Sequence, residues 1–580
     1  MNPLIAGLFA NFKASEELGG LPEDDAFELF VAAQVLPDDL LEQVQTTDLL
    51  LDASTIGIDL AALEINGALV WDVDDVDDLC GPTSKIEVTV HLAQVKRSPN
   101  VDSAQVLALG TVATKFLNNE GLQQHPKLKA LMESLRRVFS DYAAKLKAAP
   151  AVNVYYACTA PPIAVADSTV ADRAATARGA IEALGFVGNV QFVVWGTDEL
   201  HGAWSRKNQA NEVELQLEKQ VNLPKMPSID QAILGVVAAT ELLKLVEGQD
   251  GNLDERVFYD NVRGFKGEDN PVNRQILETL TTPESQLLPV LNNGVTVVAR
   301  AYQPKPGDAI SISDFQIVNG CQTSHCLHQA KEAIVASESP IFVPIRLVVT
   351  QDDEVATRII RATNSQTAVL ENDLVALTKF QKQLEDFYRL DQADVKLAYE
   401  RRSGQFYAAD VIKTRVVTIS DQMRAVTAVM LDSPHAAARY TGKLYDEVGA
   451  TMFRENHKLL PYVASAFAAY RIENAFRTGL DPALKPGRYH ILTTVKYQIL
   501  GGPSAALDSN QIETQSRTLI DVLKAPDHVA LFQTAAEKVL QAGDGQLPTA
   551  DRLKRQPFTA ELITKLVVDA VPADDQVLQK

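Results

Sequence analysis

Three polar residues could together hold a divalent cation and act on a phosphodiester: Asp59, Gln94 and Lys96. Hard divalent cations take oxygen ligands, which the Asp59 carboxylate and the Gln94 amide oxygen would supply. A lysine beside such a cation can position or deprotonate an attacking water and offset the charge that develops on the phosphate. These residue types predict metal-assisted phosphodiester cleavage with Mg²⁺ or Mn²⁺.

A predicted hairpin positions Asp59. Asn66-Gly67 is typical of a type I′ turn, because both central residues of that turn take positive φ. The turn would join a strand over Ile58–Ile65 to a strand over Ala68–Val73, with Asp59 near the start of the first strand. An acidic loop containing Gly and Pro is expected to follow.

A third predicted strand positions Gln94 and Lys96. Apolar residues alternate with more polar ones from Ile86 to Leu92. If this alternation continues to residue 96, Gln94 and Lys96 lie on the apolar side of the strand. Because lysine is almost never buried unless paired, the pattern predicts a partner for Lys96. In the plainer alternative, the strand leaves the core here and Lys96 reaches solvent.

A helix is predicted upstream, beginning after Pro22 with three acids in its first turn, where they face the positive end of the helix dipole. This helix carries Glu28. One interpretation gives Glu28 a role beside Asp59. The other makes it an ordinary exposed residue of an amphipathic helix.

The order of these elements resembles the Mrr-like branch of the restriction-endonuclease-like PD-(D/E)xK nucleases. The matching residues are Phe27-Glu28, Asp59 shortly after Gly57, and Gln94-x-Lys96. The resemblance implies a mixed sheet flanked by helices over residues 1–205. It also implies that Asp59, Gln94 and Lys96 are catalytic, with Glu28 binding the metal directly or through water. Gln94 stands where an acid is usual, which keeps a non-catalytic nucleic-acid- or nucleotide-binding regulator with a degenerate nuclease fold as an alternative.

A second group of motifs lies between residues 256 and 440, where polar residues surround short β runs. In their order along the chain, these motifs resemble those of the AIPR family of abortive-infection phage-resistance proteins. They are Phe258–Phe265, Leu291–Ala299, Phe315–Ser324, Arg361–Gln366 and Tyr399–Gln405. The resemblance implies a bacterial anti-phage defence protein, and members of that family often carry an N-terminal nuclease-like region.

Neutral hydrogen-bonding residues recur in this second group, and they could read a base edge or a sugar. We expect Asn319 to Thr323 to form a strand-to-helix turn that faces Asn364 and Gln366, with arginines clamping phosphates. The candidate ligand-binding residues are Asn261, Arg263, Asn292, Asn293, Asn319, Gln322, Thr323, Asn364, Gln366, Arg401 and Arg402. In the alternative interpretation, Asn292 and Asn293 stabilise turns or cap helices, and Arg401 and Arg402 form surface ion pairs.

Composition limits the class of protein. A chain of 580 residues exceeds a single core, and its net charge of −21 argues against a general nucleic-acid coat. That charge would also suit a scaffold or antitoxin-like protein that acts through protein contacts. The four cysteines form no secreted disulfide framework. A zinc site at Cys321, His325, Cys326 and His328 is disfavoured, since only two of them share a helix face.

The chain is thus expected to be a multidomain α/β protein of the cytoplasm. Its longest apolar run, Ala232–Val246, is interrupted by Glu241 and Lys244, so no membrane span is predicted. The expected regions are a nuclease-like domain at 1–205, a helical connector at 206–255, an α+β AIPR domain at 256–445 and an α-helical region at 446–580. Expected partners are nucleic acid, DNA more than RNA, and a nucleotide or phage-derived trigger. The oligomeric state is left open, with a homodimer among the alternatives.

Overall fold

A computed structural model describes residues 1–51, 57–122, 124–208, 211–248, 253–258, 271–307, 309–337, 339–364, 379–391, 393–401, 406, 411–439 and 441–570. The chain forms two compact units. The first combines Met1–Lys207 with Ala376–Lys580, and the second is Asn208–Val375. In sequence, the second unit is therefore inserted between the two parts of the first.

The N-terminal part of the first unit is built on a five-stranded mixed sheet flanked by helices. Its strands are β1 (Leu60–Ile65), β2 (Ala68–Val70), β3 (Val88–Val95), β4 (Ala151–Ala157) and β5 (Val190–Trp195), in the order β2-β1-β3-β4-β5. Its helices are α1 (Pro3–Ser15), α2 (Glu23–Val35), α3 (Asp38–Leu41), α4 (Val73–Cys80), α5 (Ser103–Leu117), α6 (Pro126–Asp141), α7 (Pro162–Val165), α8 (Ser168–Glu182) and α9 (Thr197–Asn208), with 3₁₀ turns at Thr46–Leu49 and Ala143–Lys145. Strand β1 is antiparallel to β2 and β3, whereas β3, β4 and β5 run parallel.

The predicted hairpin is present. Asn66 and Gly67 have φ angles of 51° and 78°, as a type I′ turn requires, and they join β1 to β2. The acidic segment that follows is not the predicted loop, because it forms helix α4. The Asp72 side chain caps that helix by accepting the N–H of Asp75 at 3.1 Å, and acids in the first turn suit the helix dipole.

Strand β3 is buried on both faces of the sheet. Val88, Val90 and Leu92 belong to a core that also contains residues of α4, α5, α6 and α8. Ala93 and Val95 belong to a second core, which is formed with α1 and α2. The carboxyl end of β3 is therefore enclosed by helices of both layers.

The part of the first unit from residue 376 onward is mainly helical, whereas a helical region was expected only over 446–580 and residues up to 445 were assigned to the AIPR domain. Its helices are α16 (Lys379–Arg389), α17 (Ile419–Val429), α18 (Pro434–Ala437), α19 (Thr441–Val448), α20 (Leu460–Thr478), α21 (Arg488–Leu500), α22 (Asn510–Leu523), α23 (His528–Ala542), α24 (Ala550–Leu553) and α25 (Gln556–Ala570). A small parallel sheet of β11 (Ala398–Glu400) and β12 (Val416–Thr418) and 3₁₀ turns at Lys413–Arg415, Gly449–Thr451 and Pro482–Gly487 complete it.

Several ion pairs join this helical part to the N-terminal part, and we call this set of pairs the acid–base seam. In every pair described between residues 1–207 and 376–570, the N-terminal part supplies the acid and the C-terminal part supplies the base. The pairs are Glu17 with Arg415 and Arg477, Asp48 with Lys485 and Arg488, Asp72 and Asp75 with Lys554, Asp74 with Arg555, and Asp78 with Arg439. Helix α4 and its cap therefore supply much of the acidic side of the seam.

The second unit contains a closed five-stranded barrel in the order β10-β7-β6-β9-β8. Its strands are β6 (Glu212–Asn222), β7 (Gln231–Ala238), β8 (Val295–Pro304), β9 (Ala309–Asn319) and β10 (Phe342–Val349). Its helices are α10 (Ala239–Val246), α11 (Pro271–Leu280), α12 (Leu288–Leu291), α13 (Cys321–Gln329), α14 (Lys331–Ala336) and α15 (Asp353–Asn364), with 3₁₀ turns at Glu255–Phe258 and Pro283–Leu287.

The expectation of a helical connector at 206–255 is wrong, because this segment supplies two strands of the barrel. In β6, Leu215 and Leu217 are buried, while Glu214, Gln216 and Glu218 are exposed. This period of two is typical of a strand, and the mixed charges hid it in the sequence. The apolar run Ala232–Val246 is likewise divided between β7 and α10.

No helix of the described residues is long and apolar enough to cross a membrane. All four cysteines are buried as thiols, as expected for cysteines that pack as small apolar residues.

Candidate functional site

Asp59 is fixed at the entry to β1 by its neighbours on β3. Its backbone N–H donates to the carbonyl of Ala93 at 2.8 Å, and its Oδ2 accepts the N–H of Val95 at 2.7 Å. Only 7% of the residue is exposed. Burial raises the pKa of Asp59, although the hydrogen bond from Val95 and the charge of Lys96 oppose the shift. The sheet therefore holds a desolvated carboxylate at a defined point.

Lys96 follows directly after β3, and its backbone N–H donates to the carbonyl of Ala157 at 2.8 Å. Its Nζ lies 3.9 Å from Oδ2 of Asp59, and its side chain is 35% exposed. The ammonium group thus has the carboxylate partner that its position in the strand pattern predicts, while part of the side chain faces solvent. A substrate could therefore reach it.

Gln94 lies on β3, two residues before Lys96, and only 6% of its surface is exposed. Within the part of the chain that the structure describes, its amide oxygen Oε1 has no hydrogen-bond partner. Its Nε2 lies close to Gly57, since a Cβ atom added to that glycine would be 3.5 Å from it. The φ of Gly57 is 78°. A buried amide oxygen without a partner is costly, and a cation would satisfy it. The donor set of Asp59 and Gln94 therefore fits a hard divalent cation.

Glu28 belongs to the same site, because its carboxyl group interacts with both Asp59 and Lys96. Burial raises the pKa of Glu28 to about 8; the charges of Asp59 and Asp25 add to the rise, and that of Lys96 opposes it. Glu28 is half-buried, so the alternative of an ordinary exposed helix residue does not describe its environment. Helix α2 thus brings a second acid towards the end of β3.

Within the described residues, this site lacks a dense cluster of acidic or thiol metal ligands. Among the described residues, no three or more His, Cys, Asp or Glu side chains group so that they could hold a metal ion. The site offers instead two carboxylates and one amide. In the disfavoured zinc cluster, burial lowers the pKa of His325 to about 4, and its ring lies 5.1 Å from that of Phe258.

A second candidate site is a pocket of about 310 Å³ within the second unit. Five of the predicted ligand-binding residues line it: Asn292, Asn293, Asn319, Gln322 and Thr323. The rest of the lining comes from α11, α12 and the backbone around the two turns, namely Gln275, Ile276, Thr279, Leu288, Leu291, Gly294, Gly320 and Cys321. We call this the amide pocket.

The predicted strand-to-helix turn forms one wall of the amide pocket. Strand β9 ends at Asn319, and α13 begins after Gly320, whose φ is 102°. A Cβ on Gly320 would lie 2.9 Å from Cγ2 of Val295 and 3.0 Å from the carbonyl oxygen of Gly294. Only glycine therefore fits the turn without displacing the adjoining strand.

Asn292 has the turn duty that was the alternative for Asn292 and Asn293. Its Oδ1 accepts the N–H of Gly294 at 2.8 Å, and its Nδ2 donates to Oγ1 of Thr323 at 3.0 Å. Asn319, for which no such duty was predicted, donates from Nδ2 to the carbonyl of Thr363 at 2.6 Å. These bonds hold both side chains in place at the pocket.

Of the remaining predicted ligand-binding residues, only Arg401 has a described side chain, and it does not line this pocket. Arg401 belongs to the first unit, where it is buried and its Nε donates to Glu385 at 2.7 Å. Asn364 ends helix α15. Four others lie outside the described residues: Asn261, Arg263, Gln366 and Arg402.

The sequence analysis missed Gln275 and Thr279, which face the pocket from α11. Their separation of four residues, which puts both on one face of a helix, is the sequence pattern that could have indicated them. The surrounding segment has no clear strand or turn motif that would draw attention to this pattern.

Residues 258–501 match the family model described as AIPR protein. The resemblance to the AIPR family is thereby confirmed for this region, which begins at the Glu255–Phe258 turn and ends just beyond α21. The chain matches no curated protein and no solved structure.

Proposed function

We propose that this chain, which carries an AIPR region, is an anti-phage defence protein whose N-terminal sheet acts as a metal-dependent nuclease. One observation carries the nuclease assignment. The Lys96 ammonium lies 3.9 Å from the buried Asp59 carboxylate, where β1 begins and β3 ends, and Gln94, two residues before Lys96, has a buried amide oxygen with no hydrogen-bond partner among the described residues. The order of the strands, with an antiparallel hairpin followed by parallel strands, supports the restriction-endonuclease-like assignment.

Asp59 and Gln94 would hold Mg²⁺ or Mn²⁺, with Glu28 as a further oxygen donor directly or through water. Such a cation supplies Lewis-acid polarisation and lowers the pKa of bound water. The N–H of Val95 already occupies Oδ2 of Asp59, which fixes the orientation of the carboxylate. Lys96, placed by the same strand, orients the attacking water and offsets charge on the phosphate.

The substrate class that we propose is nucleic acid, with DNA ahead of RNA. The amide pocket would sense a nucleotide or nucleic-acid ligand and so report infection. This second role is supported by the gathering of five neutral hydrogen-bonding side chains, predicted independently, around one cavity.

The second candidate function is a nucleic-acid-binding regulator without catalysis. Gln94 favours it, since an amide in place of a carboxylate removes one negative charge from the cation site. Binding without cleavage, over all divalent cations tested, would identify this regulator.

The decisive experiment incubates the purified chain with plasmid DNA and with RNA, in Mg²⁺, Mn²⁺ or EDTA. Asp59→Asn is the informative variant, because its amide oxygen can still accept the Val95 N–H while the charge is lost. We expect it to abolish cleavage and protection against phage. Asp198→Asn, at an exposed position of α9, is the matched control. Undiminished cleavage by a folded Asp59→Asn protein would remove the nuclease from this site.

A further inference from the structure

The lining of the amide pocket has a definite chemical character. Its polar side chains are carboxamides and hydroxyls, from Gln275, Thr279, Asn293, Asn319 and Gln322 together with the Asn292–Thr323 pair. Among the described lining residues there is no Lys, Arg, Asp or Glu. A carboxamide presents one donor group and one acceptor side by side.

In the pairing code of the DNA major groove, this chemistry favours adenine. Asn and Gln pair bidentately with adenine, because the adenine N6 amino group donates and N7 accepts. Guanine is read by Arg or Lys, which donate to O6 and N7, and cytosine by Asp or Glu, which accept from N4. Of these three base-edge pairings, the described lining provides the one for adenine.

The size of the pocket limits the ligand to a small molecule. About 310 Å³ lies at the lower end of the range for small-molecule sites, roughly 300–1,000 Å³. Ile276, Leu288 and Leu291 add apolar surface that could cover the face of a base. Such a cavity admits one nucleoside and excludes a duplex.

The pocket is also built to keep its shape before a ligand arrives. Gly320 fixes the strand-to-helix turn, the Asn292–Thr323 pair ties the β8 side to α13, and Asn319 is held by the carbonyl of Thr363. Pre-ordered groups lose less entropy on binding, which favours recognition of a small ligand.

We propose that the amide pocket binds the adenine base and ribose of an adenosine-type ligand. The proposal rests on the ligand-sensing role proposed above and makes its ligand class specific. Gln322, at the start of α13, and Gln275, on α11, are the residues that we assign to the base edge.

Isothermal titration calorimetry on the full chain tests this proposal, with adenosine, guanosine, cytidine and uridine as probes. We expect adenosine to bind at least about tenfold more tightly than the other three, the difference that one unsatisfied polar group makes. AMP and a single-stranded oligo(dA) form two further arms. Binding of adenosine and AMP identifies a free small molecule, whereas binding of oligo(dA) alone overturns the small-ligand assignment.

Two variants locate the contact. Gln322→Ala and Gln275→Ala should each weaken adenosine binding about tenfold or more. Gln303→Ala, at an exposed position of β8 outside the pocket, should leave it unchanged. Thermal melting checks that each variant is folded, and the second variant keeps the test decisive if the first fails to fold. Undiminished binding by both folded variants overturns the assignment.

The outcomes separate this proposal from the general function. Equal binding of all four nucleosides, or a preference for guanosine, overturns the adenine assignment and leaves ligand sensing in place. Failure of every nucleoside, nucleotide and oligonucleotide to bind overturns both. Neither result affects the nuclease assignment, which depends on Asp59 in the other unit.

Discussion

Nζ of Lys96 lies 3.9 Å from Oδ2 of Asp59, the oxygen that also accepts the backbone N–H of Val95. One carboxylate oxygen is thus shared by a strand amide and an ammonium group, which fixes both charged side chains to the end of β3. Because the contact is an ion pair rather than a short hydrogen bond, Lys96 would be able to reach the phosphate of the proposed substrate without first breaking a strong bond.

Replacing Lys96 should separate binding from catalysis. If its charge acts mainly in the transition state, Lys96→Ala should lower turnover by about two or more orders of magnitude and leave nucleic-acid binding nearly unchanged. Single-turnover cleavage and filter binding measure the two effects. Arg97→Ala is the neighbouring control, since that side chain pairs with Asp24 and Glu23. An equal loss of binding and turnover would mean that Lys96 attracts the nucleic acid in the ground state and does not act specifically in the transition state.

Restoring the acid at position 94 probes the cation site. Gln94→Glu should retain Mg²⁺ binding, because a carboxylate is the commoner oxygen ligand. Calorimetric titration with Mg²⁺ measures the affinity of wild type and variant. Loss of the cation in a folded Gln94→Glu protein would contradict the assignment of this side chain as a ligand.

Glu28 should make the stability of the protein depend on pH. Its pKa is raised from 4.5 to about 8 in the folded chain, chiefly by burial. Between these values the folded protein holds a proton that the unfolded chain has lost, so this group lowers stability as pH rises through the interval. Glu28→Gln should therefore gain in Tm relative to wild type between pH 4.5 and about 8. A Tm difference that is flat across this interval, as expected for Glu182→Gln at the surface, would refute it.

The acid–base seam should be sensitive to the loss of a single buried charge. Burial alone would raise the pKa of Asp48, but Arg488 and Lys485 lower it well below its usual value. Arg488 also pairs with Glu473 at 3.0 Å. Arg488→Met leaves both acids under-compensated, and we expect it to cost about 3–5 kcal/mol of unfolding free energy.

Urea denaturation measures the effect of Arg488→Met. The matched control is Arg178→Met, which breaks an exposed pair with Glu182 and should cost about 0–1 kcal/mol. Similar losses in the two variants would show that the seam is no more than a surface contact.

Gly320 should tolerate no side chain. Gly320→Ala combines a φ of 102° with a Cβ 2.9 Å from Val295, so we expect a loss of about 1–3 kcal/mol in stability and a distorted amide pocket. Gly307→Ala, also at positive φ but with open space around its Cβ, isolates the backbone contribution. Equal melting of the two variants would mean that the close approach to β8 carries no cost.

Local pattern was enough to predict the elements of the candidate nuclease site. The Asn66-Gly67 turn, the β3 strand itself and the acidic start of α2 each depend on neighbours in sequence, so the sequence alone reveals them, although β3 is buried on both faces and not with the predicted alternation. The pattern placed Lys96 near the end of β3, where its side chain proves to be 35% exposed and 3.9 Å from Asp59.

Longer-range features were not predictable in this way. Helix α4 looked like a loop because its Asp-rich sequence has low helix propensity, and its stabilising partners, such as Lys554, lie nearly five hundred residues away in the chain. Strand β6 looked like a solvated helix face because its exposed side is charged. Barrel closure, which supplies its buried side, has no local signature.

The polarity of the acid–base seam has a consequence for assembly. The two sides that it joins belong to segments separated in sequence by the whole inserted barrel, and in each described ion pair the acid comes from the N-terminal side. The chemistry of these pairs does not require both sides to come from the same polypeptide. The bases of one copy would be equally complementary to the acids of another, an arrangement that would permit exchange of the C-terminal part between two molecules.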